Sequence, residues 1–340
     1  MANYTTITKS SLYQTNKNYT GTGSSNAITG LGFQPDWIWL KNRGGTSNYR
    51  MANAVTGSAE LHSSSTNLVG ADSSYISSFD SDGFTVGTAA DTNVNGGAMG
   101  SWNWKVGGAG SANTDGTINS TVSVNSTSKM SIVKYTGTGS SGTIGHGLGV
   151  APTCILIKSL DSNDWWWVSH QGLSAVDKTV HLNTNNDEAT QAGGITARSA
   201  TTFSVGNDSG TNGNGNVYVA YCFVDVVGFS RFNSYIGNGA NDGTFVFCGF
   251  KPSLVWVKRY DADQNWRAWD NLNAGYNGSN CIFHLNLTDQ ESCGDTIDLL
   301  SNGFKHRTNS ADQNASSGNY IYMAWGQSIV GTNNVPATAR

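Results

Sequence analysis

Short apolar and polar runs alternate along most of this chain, and one longer apolar run recurs three times. Trp37-Ile38-Trp39-Leu40-Lys41, Cys154-Ile155-Leu156-Ile157-Lys158 and Leu254-Val255-Trp256-Val257-Lys258 each place four apolar residues before a lysine. Each follows a glycine and a proline: Gly32 and Pro35, Gly149 and Pro152, Gly249 and Pro252. An apolar run of this length, bounded by a turn, predicts a strand covered on both faces. Proline suits its entry, because it fixes φ and has no N–H to offer a neighbouring strand.

Other landmarks keep step with these runs. Tyr-x-Gly-x-Gly opens each third at Tyr19, Tyr135 and Tyr235, and the anchor proline follows 16, 17 and 17 residues later. An aromatic residue stands 14 positions after each proline, at Tyr49, Trp166 and Trp266. A phenylalanine follows at Phe84, Phe203 and Phe304, and then a closing strand with a small residue before an aromatic: Ser101-Trp102, Ala220-Tyr221, Ala324-Trp325. This order predicts three tandem repeats. The fold expected is all-β with little helix, each repeat a β-sandwich or jelly-roll-like module of about the immunoglobulin size. One larger sheet assembly built from all three is the alternative. The best helix candidate is short, Asp295 to Ser301.

The boundaries predicted are an N-terminal arm at 1–18, repeat 1 at 19–106, a linker at 107–128, repeat 2 at 129–226, repeat 3 at 227–326 and a C-terminal tail at 327–340. The linker is read from a Gly/Ser/Thr/Asn-rich composition. The short apolar join between repeats 2 and 3 predicts that these two pack rigidly, with repeat 1 looser.

Composition narrows the function classes. Of 340 residues only 12% are charged, while Gly numbers 42, Trp 11, Tyr 13 and Phe 12. Such a chain has the aromatics that a disordered one lacks. The net charge of −4 and the absence of a Lys/Arg cluster exclude an electrostatic footprint for nucleic acid. No run approaches the length of a membrane-spanning helix, and the polar start, Met1 to Asn18, lacks the apolar core of a signal peptide. Of five cysteines, Cys154, Cys222 and Cys248 lie in apolar runs and read as buried thiols. Cys281 and Cys293 could pair, a reading weakened by the lack of an export signal.

Three constellations could carry chemistry. Trp165-Trp166-Trp167 follows Asp161 and Asp164, and Asp263 precedes Trp266 and Trp269. An exposed indole beside carboxylates can stack on a sugar face while the polar groups take its hydroxyls. Strand alternation puts Trp165 and Trp167 opposite Trp166. The core reading is preferred for Trp166 and Trp266, leaving Asp161, Asp164, Trp165, Trp167, Asp263 and Trp269 as candidates for a glycan or a partner. Asp91, Asn93 and Asn95 match the first half of a calcium loop, but Trp102 stands where its closing glutamate would be, so a polar hairpin loop is the favoured reading. No catalytic residue and no cofactor are assigned. The glutamates are only Glu60, Glu188 and Glu291, the six histidines are scattered, and no nucleophile or metalloprotease motif is present.

The strings Gly32-Phe-Gln-Pro-Asp-Trp-Ile-Trp-Leu-Lys-Asn42, Phe79-Asp-Ser-Asp-Gly-Phe-Thr-Val-Gly87 and Tyr135-Thr-Gly-Thr-Gly139 resemble an uncharacterised repeat domain of tailed-phage virion proteins. So do Gly228-Phe-Ser-Arg-Phe232, Asn302-Gly-Phe-Lys305 and Tyr320-Ile-Tyr-Met-Ala324, and the resemblance covers nearly all of residues 19 to 326. It implies a tail-fibre or structural protein, in some members joined to concanavalin-like lectin modules, exposed on the virion surface. The chain has no recognisable tail-attachment or lectin module, which also admits a spike or head decoration. The expectation is a non-enzymatic homotrimer in contact with other virion proteins and with a host-surface glycan. A carbohydrate-binding lectin is the alternative, and a polysaccharide-degrading spike ranks below both.

Overall fold

The computed structural model describes residues 5–61, 72–272, 277–278 and 280–328. Among them the regular structure is almost wholly antiparallel β, with two one-turn helices, Ala90–Asn93 and Ser209–Asn212, and a 3-10 turn at Ser10–Leu12. No helix among the described residues is long and apolar enough to cross a membrane.

Each third holds one large sheet and one sheet of three strands. The large sheets have five, eight and six strands. The strands after the prolines are Trp37–Asn42, Cys154–Ser159 and Phe250–Arg259. Each is flanked on one side by a late strand of its third, Ala98–Trp104, Val217–Phe223 or Asn319–Ser328, and on the other by a short one, Arg50–Asn53, Trp167–His170 or Arg267–Asp270. Pro35 and Pro152 stand two residues before their strands, whereas Pro252 lies inside its strand at a bulge. In all three cases proline sits where no ladder donor is required.

Alternation divides each apolar run between two cores. Ile38 and Leu40 pack on Ile28, Phe84 and Val86 of the small sheet; Ile155 and Ile157 pack on Ile144, Phe203 and Val205; Val255 and Val257 pack on Val246, Leu299 and Phe304. These are three sandwiches. The opposite faces bring Trp37, Trp39, Cys154, Leu156, Leu254 and Trp256 into one buried cluster fed by all three large sheets. Trp37 stacks on Tyr221 at 4.4 Å between ring centroids, and Trp104 and Phe223 meet Trp325 at 5.5 and 5.8 Å. The looser attachment expected of the first third is therefore corrected: it contributes Trp37, Trp39, Trp102 and Trp104 to the common core.

Four further expectations are corrected. The proposed linker 107–128 contains the strands Ser111–Asn113 and Ser120–Asn125, which extend the middle sheet, because Val122 and Ile118 have apolar surface to bury there. The proposed arm contributes Gln14–Thr20, the edge strand of the first sheet, and Ile7 is buried in the common core. The last third's sheet runs on to Ser328 rather than ending at 326, and the tail beyond lies outside the described residues. The segment read as a helix forms the strand Ile297–Leu300, paired with Gly303–His306 across a two-residue turn at Ser301-Asn302. Its Ile297 and Leu299 point into the sandwich core, a period of two rather than of 3.6.

One landmark also slips. Trp39 and Leu156 pair with Trp102 and Tyr221, but Trp256 pairs with Met323, and Trp325 pairs with Leu254 as Trp104 does with Trp37. The shift is by two residues, so the side chain keeps its face.

Candidate functional site

The tryptophan triplet separates in the structure. Trp166 is fully buried in the common core with Tyr49 and Trp266. Trp165 is 42% exposed and lies against the His181 ring, 4.5 Å between centroids. Trp167 does not share its exposure and is corrected to a sandwich-core residue.

Its neighbours show why. Fifteen residues after the first and third prolines stand Arg50 and Arg267, paired with Asp91 and Asp312 on the loop before the closing strand. The middle third has Trp167 in place of the arginine and Gly210 in place of the aspartate. A Cβ at Gly210 would lie 2.2 Å from the Trp167 indole nitrogen. An ion pair is thus replaced by an indole laid on a backbone turn, and both halves of the pair change together.

Trp269 is also core, fully buried, with Nε1 donating to Thr296 Oγ1 at 3.1 Å. The candidate acids are engaged by main chain. Asp161 accepts from Val217 N–H at 2.6 Å, Asp164 from Trp165 N–H at 2.7 Å and Asp263 from Asp187 N–H at 3.0 Å. Of the aromatic candidates, Trp165 alone offers an open face. Among the glutamates, Glu188 accepts from Ser174 N–H at 3.0 Å and Glu291 pairs with Arg43 at 2.7 Å. The Glu60 side chain and His62 lie outside the described residues.

The calcium-like loop turns out to be one of three amide clamps. Asn93 is buried; its Oδ1 accepts from Thr22 N–H at 2.8 Å and its Nδ2 donates to the Gly87 carbonyl at 2.6 Å. Asn212 accepts from Thr138 N–H at 2.9 Å and donates to the Ser140 and Gly206 carbonyls, both at 2.7 Å. Asn314 accepts from Asn238 N–H at 3.0 Å and donates to the Ala240 and Thr308 carbonyls, both at 2.9 Å. Asp91 holds Arg50, and Asn95 is exposed. Asp91 and Asn93, two of the three residues read as weak cation ligands, therefore have separate structural tasks.

The clamps also explain Tyr-x-Gly-x-Gly. The hydroxyls of Tyr19, Tyr135 and Tyr235 donate to the carbonyls of Thr92, Thr211 and Gln313, the residues just before the clamps. A Cβ on Gly21, Gly137 or Gly237 would come within 2.1, 2.4 or 2.2 Å of a carbonyl oxygen of the same loop. Gly23, Gly139 and Gly239 take φ of 67°, 70° and 69°, the left-handed region where glycine is unstrained. The motif is a docking surface for the clamp loop, and sequence reasoning missed its partner. The signal available was an asparagine opening each polar loop before the closing strand.

The lysines that end the apolar runs have a second unforeseen role. Lys41, Lys158 and Lys258 are buried, and burial pushes their ammonium groups down to about 8, 8 and 7. Lys41 Nζ donates to the carbonyls of Ser47 at 2.7 Å and Thr288 at 2.9 Å; Lys158 Nζ donates to that of Asp164 at 2.8 Å; Lys258 Nζ donates to that of Asn185 at 3.1 Å. Two of these bonds cross between thirds. Main-chain bonds run beside them: Ser47 N–H to Thr288 O and Glu291 N–H to Arg43 O join the last third to the first, while Gln264 N–H to Asn185 O and Glu188 N–H to Tyr260 O join the middle third to the last. Ser47 and Gln264 both stand twelve residues after their prolines, so the two seams use the same positions.

Cys281 and Cys293, for which the sequence offered only a weak case, form a disulfide between neighbouring strands. Cys154, Cys222 and Cys248 are buried free thiols, and burial raises the pKa of each, that of Cys222 to about 12. They are poor nucleophiles.

Among curated proteins none matches this chain. A family profile described as a domain of unknown function, DUF7483, matches residues 9–328. That span takes in the edge strand at Gln14, all three sandwiches and the end of the last closing strand, so the chain belongs to the DUF7483 family.

Proposed function

We propose that this chain is a non-enzymatic structural protein of a phage virion exterior, a fibre, spike or head decoration that joins other virion proteins and contacts the host surface as a homotrimer. The observation that carries the reading is the common aromatic core, to which all three thirds contribute. It couples sparsely charged sandwiches into one body whose candidate carboxylates staple loops to main-chain amides. Such a construction suits a rigid exposed particle component, and the resemblance of its repeat strings to phage virion proteins supports the same reading. Purified particles of the encoding phage, analysed by mass spectrometry and by gold-labelled antibody, are expected to carry the chain in many copies on the outside. Particles that lack it refute the proposal. A single-chain mass by light scattering, both free and as released from the particle, refutes the trimer.

Trp165 favours a second reading, a lectin, because its face is open beside His181. Trp165→Ala is expected to leave the melting temperature within about 1–2 °C, as for other surface substitutions, while abolishing binding on a glycan array. If the variant binds glycans as well as the parent does, the lectin reading fails. If it unfolds, Trp165 belongs to the core.

A further inference from the structure

We propose that the Cys281–Cys293 disulfide is a redox latch on the seam between the first and last thirds. The two cysteines lie at register on the strands Asn280–His284 and Ser292–Gly294, the latter an edge strand of its sheet. Between them the chain runs out as an arm, residues 285–291, and returns. This arm makes the seam: Thr288 O accepts from Ser47 N–H and from Lys41 Nζ, Glu291 N–H donates to Arg43 O, and the Glu291 carboxylate pairs with Arg43. The Glu291 carboxylate and the two sulfurs lie within 4.8 Å of one another, so the covalent link sits at the foot of the ion pair.

The middle third reaches the last with an equivalent arm between Lys178–His181 and Ala189–Thr190, and no cysteine closes its base. The middle third is also joined to both neighbours by continuous chain, whereas the first and last thirds are joined by the shared aromatic core and by their seam, with no peptide linkage between them. The disulfide therefore stands on the one seam that no peptide linkage supports. It holds an arm whose return strand is a three-residue edge with one neighbour.

Reduction is balanced by an external dithiol. Cys281 is 1% exposed while Cys293 is exposed, so a dithiol thiolate attacks the Cys293 sulfur and Cys281 leaves as a thiolate that takes up a proton. The second thiol of the reagent then releases Cys293, leaving two protein thiols and an oxidised reagent. A small-molecule disulfide reverses the exchange. In a reducing compartment the arm is left to its hydrogen bonds and the Glu291–Arg43 ion pair, and in an oxidising one the latch closes.

Native-state hydrogen exchange on the full chain, with and without dithiothreitol, tests this. Thiols counted in denaturant are expected to rise from three to five on reduction. The Ser47 amide, which belongs to the first third and lies far from the disulfide in sequence, is expected to exchange at least about tenfold faster after reduction. The Gln264 amide, its counterpart on the other seam, is expected to stay within about twofold. The Cys281→Ser/Cys293→Ser variant is expected to match the reduced protein and to ignore dithiothreitol. Five thiols before reduction, an unchanged Ser47 amide, or equal acceleration at Ser47 and Gln264 each overturns the latch. Should the variant not fold, the reduced parent chain decides.

Discussion

Lowering the pH from 6.5 to 4.5 is expected to cost about 2–3 kcal/mol for each of three buried histidines, His170, His181 and His306. Burial pushes their pKa values down to about 3, 4 and 3. Contacts at the Nδ1 atoms of His170 and His306 favour the neutral ring as well, while the carbonyl bond at His170 Nε2 opposes burial more weakly. His170 Nδ1 accepts from Gly172 N–H at 3.0 Å, which leaves Nε2–H to donate to the Tyr322 carbonyl at 3.2 Å, a bond from the middle third to the last. His306 Nδ1 faces the Gln313 amide at 3.1 Å. Between the folded and unfolded values the unfolded chain binds more protons, so stability is fully present above about pH 6.5 and is lost as the pH falls towards 4 and 3. Summed, the loss by pH 4.5 rivals the whole stability of an ordinary domain. The urea midpoint, followed by tryptophan fluorescence, should fall steeply over this interval. A flat midpoint from pH 6.5 to 4.5 contradicts the account. His170→Gln with His306→Gln should flatten the limb if it folds. Towards alkaline pH the sign is the same for Lys258, Lys158 and Lys41: the unfolded chain binds more protons between pH 7 and 10, and stability rises. Above pH 10 the buried tyrosines reverse it, because Tyr135 and Tyr235 keep protons that the unfolded chain gives up.

Replacing Trp256 with alanine is expected to lower stability by about 3–5 kcal/mol, the range for large buried aromatics. Trp256 is 1% exposed and meets Trp37, Trp39, Trp104 and Trp325 with ring centroids 6.5, 4.7, 6.1 and 5.2 Å away. Three of those four partners belong to the first third. The loss should appear as a shift of one transition for the whole chain, because the cavity opens in the core that the thirds share. An unfolding curve that splits, with a large part of its amplitude left at the parent midpoint, would show that the thirds unfold independently.

Much of this fold was legible in the chain. The runs Trp37–Leu40, Cys154–Ile157 and Leu254–Val257 announced strands buried on both faces, and Trp166 was readable as core from its match to Tyr49 and Trp266. What covers the second face was not legible, because periodicity reports that a side chain is buried but not what buries it. Residues 107–128 misled through composition: Ser120–Asn125 is polar on one side only, and its Val122 and Val124 are too few to stand out among serines and threonines. Asp295–Ser301 misled through length, since four apolar-rich residues fit a strand and a helix turn equally well. Among the site candidates, the exposure of Trp165 had a mark in the sequence, an indole where the other thirds have Asn48 and Asn265. Trp167 and Trp269 looked alike in sequence, yet each fills space beneath a loop whose own residues, Gly210 and Thr296, carried no visible mark.

The arms that cross the two described seams run head to tail, the middle third reaching the last and the last reaching the first with the same positions. An interface of that kind is heterologous, and it closes only when the rotation it imposes divides a full turn. A protein made of a single third would carry both halves of the seam unsatisfied, one at its arm and one at its receiving loop. Copies of it could satisfy both by meeting in a ring of three, with the tryptophan core assembled between chains and its formation governed by concentration.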